Sequence, residues 1–365
     1  MPETHQARLV LAIVRRHWDD ASRLAAERPV DPDAFVGQCR ECDVLPWVHH
    51  LLTTEDRTGL VGAQAIEHLG QLRTKVRNDT MLLLARAEQA LDALIAAGVT
   101  PIALKGLDFL HRLYPTVDRR SVDDVDLLVR RRDLTTALEA LRDAGWQLPP
   151  DDRATHYIRS SHHLPLRSPG PITVDFELHW NLAQEERYRI DTEGLFERAR
   201  PLEIAGRHVL RLDDHDAVAH LLIHHFSHYF DRRLKWLVDL QLIAESSRFD
   251  WETVAGRVRG WGGSAAAGVS LAHLRKLSPQ LIPDAATHAL PFAAWRRVLA
   301  LPLRSTHPLE LFRGTRNRRI QLYLGALMLE DPARLPAWLR HRAERDNRPS
   351  DHPLDQGDRP KATRR

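Results

Sequence analysis

The sequence predicts an α+β protein, a small mixed β-sheet with helical N-terminal and C-terminal regions. Three observations predict it. Apolar residues recur at helical spacing before about residue 98 and again after residue 213. Between them, short stretches alternate apolar and polar residues with a period of two. Glycine and proline punctuate that middle stretch at the points where strands would turn or helices end.

The elements follow in order. In 67–98, Leu72, Val76, Leu82, Leu83, Ala87, Leu91 and Leu94 form an apolar stripe in a background of Arg, Glu and Gln. Gly98 supplies the stop. Val99 to Leu104 is a short apolar run ending in Lys105-Gly106, and a helix is expected from Leu107 to Tyr114. After the polar loop Pro115 to Ser121, Val122 to Val129 alternates as a strand does. Asp133 is placed to cap a helix that runs to about Ala144 and stops at Gly145. His156 to Leu166 and Ile172 to Trp180 read as two strands of a hairpin around Arg167-Ser-Pro-Gly-Pro171. Residues 202–212 read as a second hairpin around Ala205-Gly206. From Asp213 the chain returns to helix, with one long amphipathic segment expected from His215 to Glu245 and further helices to about Arg345. The expected organisation is an N-terminal helical region over 1–87, an α+β domain over 88–212, a C-terminal helical domain over 213–345 and a disordered tail over 346–365.

Composition narrows the function classes. The 365 residues are 43% hydrophobic and 28% charged, the balance of a soluble globular protein. The net charge of +3 gives little global attraction for nucleic acid. No apolar run approaches the ~20 residues that span a bilayer, and the first residues lack the basic start and apolar stretch of a signal peptide. Two cysteines cannot make a disulfide framework. A cytoplasmic protein without a membrane role is expected.

The chemistry sits in the alternating stretches. Side chains two apart on a strand share a face, so Asp124 and Asp126 point one way while Val125 and Leu127 point the other. Two carboxylates this close repel unless cations lie between them, and Mg²⁺ is the hard cation that takes oxygen ligands together with substrate phosphates. On the second strand Thr173, Asp175, Glu177 and His179 share a face. If the strands pair, a third carboxylate joins the first two and makes a two-metal site suited to phosphoryl transfer. A D-x-D on a strand is ordinarily a solvated edge. The second polar face and Lys105-Gly106, where a strand gives way to a helix N-terminus, weigh toward an anion-binding site instead. Glu177 and Asp175 both qualify for the third carboxylate. Asp123 points away from Asp124 and reads as a loop or capping residue.

Ala103-Leu-Lys-Gly-Leu107, Arg120-Ser-Val-Asp-Asp-Val-Asp-Leu-Leu-Val129 and Glu177-Leu-His-Trp-Asn-Leu182 together resemble an uncharacterised bacterial nucleotidyltransferase family of the DNA polymerase β-like superfamily. Arg77-Asn78 and Arg233-Leu-Lys-Trp-Leu-Val-Asp-Leu240 also look like family features, so the resemblance covers about 65–245. It implies a polymerase β-like sheet. It implies Asp124, Asp126 and Glu177 as catalytic and metal-binding residues, holding two Mg²⁺. It further implies Lys105, Gly106, Arg120 and His179 on the nucleotide side, with Gly106 in the turn that contacts the triphosphate. Here Gly106 is followed by Leu107 rather than by the usual glycine or serine. The implied reaction moves a nucleoside monophosphate from an NTP, with ATP as the expected donor, to an acceptor, and releases pyrophosphate. A small molecule, a peptide or a protein ranks above RNA as acceptor, because the chain lacks a basic stripe with interleaved aromatics. The alternative is a catalytically degenerate module that binds nucleotide or docks a partner protein through its helical flanks.

Other signals weigh less. Cys39 and Cys42, near His49 and His50, make a single C-x-x-C where a zinc site usually needs two pairs. His220, His224 and His228 share a helix face that is expected to be packed or to close over the nucleotide. Arg232, Arg233 and Lys235 are expected to be a solvated basic face. No Walker A motif, Rossmann glycine fingerprint or G-x-S-x-G is present.

Overall fold

The computed structural model describes residues 4–228, 233–246, 249–290, 322, 325–326 and 329–346. Four short helices open the chain: α1 His5–Val14, α2 Trp18–Glu27, α3 Pro32–Glu41 and α4 Leu45–Thr54. Side chains fix two of their starts. Thr4 accepts from Ala7 N–H at 3.1 Å, and Asp31 accepts from Ala34 N–H at 2.9 Å with Pro32 at the first helical position. The long α5, Ala63–Ala96, follows and ends at Gly98, whose φ of +77° suits glycine.

The middle of the chain builds the sheet: β1 Ile102–Ala103, α6 Lys105–Arg112, β2 Asp124–Leu128, α7 Leu134–Asp143, α8 Asp151–Ser160, β3 His163–Arg167, β4 Asp175–His179, α9 Thr192–Arg198, β5 Arg200–Ile204 and β6 Arg207–Arg211. Then come α10 Asp214–Ser227, α11 Lys235–Ser246, α12 Trp251–Gly260, α13 Ser264–Leu277, α14 Asp284–Ala289 and, after the undescribed stretch, α15 Leu335–Asp346. The six strands form one sheet in the order β3-β4-β2-β1-β6-β5. β2 lies parallel to β4 and β1 parallel to β6, while the other neighbours are antiparallel. The α+β class expected from the sequence is the class observed.

Two apolar cores cover the sheet. One takes the inward sides of β2, β3 and β4 (Val125, Leu127, Leu164, Phe176 and Leu178) and packs them on Leu83, Leu91 and Leu94 of α5. The other joins helices from both ends of the chain: Leu9, Ile13, Phe35 and Leu51 pack with Val218, Leu222, Leu237 and Leu271. α5 belongs to both, with Ala65 and Leu69 in the second core. At 1.5 Å per residue its 34 residues reach about 50 Å, enough to brace one core against the other.

Several expectations need correction. His156 lies in α8, not in a strand, and β3 begins only at His163. Pro150 followed by Asp151 and Asp152 makes a favourable helix N-terminus, which overrides the short alternation. The hairpin turn is longer than Arg167–Pro171. Ile172 is 63% exposed, and β4 starts at Asp175 after Val174 N–H has bonded to Ser168 Oγ at 2.9 Å. Asp133 makes no side-chain cap and instead ends a 3₁₀ turn, Arg131–Asp133. The segment from His215 to Glu245 is two helices, because Leu234 N–H bonds across to Cys42 O at 2.8 Å rather than back along a helix. The helix expected at Leu107 already starts at Lys105. The tail beyond residue 346 lies outside the described residues.

Arg120 is buried, and its guanidinium is engaged by Asp239 of α11, with Nε and Nη2 donating at 2.9 and 2.8 Å. Tyr114 donates to the same carboxylate at 2.7 Å. The forked geometry matches the carboxylate, so Arg120 joins the loop before β2 to the C-terminal helices. Gly106 is likewise a packing residue. A Cβ there would stand 2.9 Å from Val122 Cγ1 and 3.1 Å from Arg120 Nη1.

Asp239→Ala leaves the Arg120 charge buried without its partner, and a loss of about 3–5 kcal/mol is expected by chemical denaturation. Gly106→Ala is expected to cost about 1–3 kcal/mol from overpacking. Combining it with Val122→Ala should restore part of that loss in a double-mutant cycle.

Candidate active site

β1 ends at Ala103, and Leu104 N–H still bonds to Asp126 O at 3.1 Å. The chain then bends at once into α6. Lys105 carries the bend with φ +41°, a left-handed conformation unusual for a residue with a side chain. Its ammonium lies 3.1 Å from Asp126 Oδ2. β2 supplies Asp124 and Asp126, and β4 supplies Asp175, Glu177 and His179. Because β2 and β4 are parallel and in register, Asp124 stands beside Asp175, Asp126 beside Glu177, and Leu128 beside His179. Asp126 is 3% exposed and His179 2%, whereas Glu177 is partly open.

His179 reaches both carboxylates. Its Nε2 lies 3.0 Å from Asp126 Oδ1 and 3.1 Å from Glu177 Oε2. Asp126, Glu177 and His179 each bring one ligand atom within 4.8 Å of the others, a spacing that can hold a metal ion. Glu177, rather than Asp175, contributes to that group, and Asp124 lies just outside it.

Electrostatics separates the three acids. Burial, then the charges of Asp126 and Glu177, pushes Asp124 up to about 7. Burial also works against charge on Asp126, but Lys105 and the His179 hydrogen bond outweigh it and hold Asp126 below the usual carboxylate range. Burial is outweighed again at Glu177, where His163 and His179 hold the carboxyl well below its ordinary value. Burial opposes charge on His179 and Lys105 too. Hydrogen bonds to Asp126 and Glu177 raise the imidazole, and the charges of Asp126, Glu177 and Asp124 raise the ammonium. Three carboxylates thus face one ammonium and one imidazole, and burial together with the charges of its neighbours makes Asp124 the one most readily protonated. Oxygen donors with surplus negative charge fit a hard divalent cation.

The surroundings hold further histidines. His163 begins β3, opposite His179 across the antiparallel pair, and His162 directly precedes it. Sequence reading missed both, because the strand was begun at His156. The alternation of His163, Pro165 and Arg167 opposite His179, Glu177 and Asp175 is the signal that finds them. From the other side α10 packs His220 against Lys105, Phe109 and Leu221 around a narrow cavity. Burial, and then the charge of Lys105, keeps His220 and His224 well below the ordinary imidazole range. His220 lines the lysine side of the site. Asp123 is not on this face and draws Lys235 at 3.4 Å and Arg233 at 3.6 Å. Those two cations are accordingly paired, while Arg232 lies outside the described residues. Cys39 and Cys42 are buried thiols that are not joined in a disulfide, and Gln38 Nε2 donates to Cys42 Sγ at 3.2 Å. No described helix is long and apolar enough to cross a membrane.

The chain is similar to a solved antigenic nucleotidyltransferase-like protein from Paracoccidioides brasiliensis, at 14% identity and a TM-score of 0.31, over 59% of this chain and 92% of that one. No curated protein matches the chain. Residues 28–279, which contain the whole sheet and its carboxylates, match the family described as uncharacterised nucleotidyltransferase, and the chain belongs to that family.

Proposed function

We propose that the protein is a metal-dependent nucleotidyltransferase that moves a nucleoside monophosphate from an NTP, ATP being the expected donor, to an acceptor hydroxyl. The observation that carries this reading is the parallel register that sets Asp126 beside Glu177, with Asp124 two residues back and Lys105 3.1 Å from Asp126.

Asp124, Asp126 and Glu177 would hold Mg²⁺, with His179 orienting Asp126 and Glu177 through its Nε2. Bound there, the cations supply positive charge for the triphosphate and acidify the acceptor hydroxyl. Lys105 is already poised on Asp126 and becomes available to a phosphate once that carboxylate is otherwise engaged. Glu177, partly open, faces the acceptor and receives its proton. The acceptor oxygen forms a bond to the α-phosphorus, the α–β phosphoanhydride bond breaks, and pyrophosphate leaves. His220 walls the lysine side without adding charge that would compete for the phosphates. The near-neutral chain favours a small molecule, peptide or protein acceptor over RNA.

Calorimetric titration of Mg²⁺-ATP into the wild type and into Asp124→Ala/Asp126→Ala tests the site. Metal-dependent binding that disappears in the variant supports it. No binding of any of the four NTPs by folded protein refutes it in favour of a partner-docking module. In an acceptor screen read by pyrophosphate release, Asp126→Asn and Glu177→Gln are each expected to slow turnover by about 10²–10⁴-fold while the protein stays folded.

Mg²⁺ affinity is expected to depend on pH with a definite sign. Below about 7, metal-free Asp124 carries a proton that the cation must displace. Affinity should therefore rise as pH rises through about 7, with proton release measurable by calorimetry in buffers of different ionisation enthalpy. Asp124→Asn should flatten the dependence.

A further inference from the structure

Three imidazoles crowd the end of the sheet beside the carboxylates. His162 and His163 have ring centroids 4.6 Å apart, and those of His179 lie 5.6 and 5.0 Å from them. Each ring brings one nitrogen within 4.8 Å of the others. The closest recorded pair, His162 Nε2 and His163 Nδ1, is 3.3 Å apart. A tetrahedral cation with metal–nitrogen bonds of 2.0–2.1 Å holds its ligand nitrogens about 3.3–3.4 Å apart, so that pair already has the spacing of one edge of such a polyhedron.

Packing alone does not account for the cluster. His179 Nε2 is taken by Asp126 and Glu177, and its Nδ1 is buried with no hydrogen-bond partner, a costly arrangement for a polar atom that a cation would relieve. The backbone also holds His162 firmly in place, because its carbonyl accepts from Trp180 N–H at 3.0 Å and from Asn181 N–H at 3.3 Å.

We propose that His162, His163 and His179 form a second cation site, distinct in ligand chemistry from the carboxylates, that takes an imidazole-preferring divalent cation such as Zn²⁺ or Co²⁺ in preference to Mg²⁺. Nitrogen ligands favour these borderline metals, whereas Mg²⁺ demands oxygen. Three protein ligands leave a coordination position open to water or another small ligand. Glu177 Oε1, 3.9 Å from His163 Nε2, stands where a carboxylate can support a ligating histidine from outside. His179 belongs to both groups, so a cation among the imidazoles competes with the hydrogen bonds that hold Asp126 and Glu177.

The test titrates metal-free, full-length protein with Co²⁺ in excess Mg²⁺ and follows the visible absorption of the cobalt, with Zn²⁺ competition to measure affinity. The wild type is expected to bind one Co²⁺ with a nitrogen-ligand spectrum and to release it to Zn²⁺. His162→Gln and His163→Gln, made singly and together and checked for fold by circular dichroism, are expected to weaken binding at least tenfold each. No Co²⁺ band in folded wild type overturns the proposal. So does a band that survives both histidine substitutions but is lost in Asp126→Asn, since the cation then sits on the carboxylates. The single variants decide the matter if the double variant does not fold. Failure here leaves Mg²⁺-ATP binding untouched, so it is distinguishable from failure of the nucleotidyltransferase reading.

Discussion

The parallel pairing of β2 with β4 is the constraint on which the site rests. Parallel neighbours cannot be joined by a tight turn, so the chain between them must leave the sheet and return. It does so through α7, α8 and β3, and each of these is needed to bring β4 back beside β2 in the right register. A slip of one residue would turn Glu177 and His179 to the apolar face and Phe176 and Leu178 to the polar one. The buried positions Val125, Leu127, Phe176 and Leu178, all packed toward α5, make that slip prohibitive. The polar cluster is therefore held in place by the apolar face behind it.

Charge is the second layer. Bringing Asp126 and Glu177 side by side is unfavourable in a buried corner, and the fold answers with Lys105 on one oxygen of Asp126 and His179 on the other. Lys105 comes from the strained first residue of α6, so the same bend that ends β1 delivers the counter-charge. Farther out, Arg120, Asp239 and Tyr114 tie the loop before β2 to α11, and Lys235 of α11 reaches both Asp123 and Asp43. β2 is thus anchored to both helical ends of the chain by buried or half-buried ion pairs.

Much of this was legible from residues alone, for identifiable reasons. The D-x-D and the acidic face of β4 follow from period-two alternation, which depends only on local backbone geometry. The α+β class follows from the change of period at about residues 98 and 213. The pairing of Arg120 with Asp239 was not legible, because an arginine beside an acidic motif looks the same whether it meets phosphate or a carboxylate 119 positions away. His162 and His163 escaped because their role depends on register, and register depends on a loop whose length the hairpin signal understated. Gly106 looked like a phosphate turn, while its packing need comes from Val122, a contact that only the folded chain reveals.

The shared core of the two helical ends bears on how the chain is made. Leu9, Ile13 and Phe35 belong to one buried core with Val218, Leu222 and Leu271, which are synthesised roughly 200 residues later. At translation rates of about 5–20 residues per second, the first helices wait roughly 10–40 seconds with an apolar face uncovered. Such contacts between distant segments also slow the search for the native topology, because a long loop must close before they form. The nascent N-terminal helices are thus a window of aggregation risk and a natural client surface for chaperones. A fragment that starts after them or stops before α13 would keep an open hydrophobic seam where the full chain has a closed one.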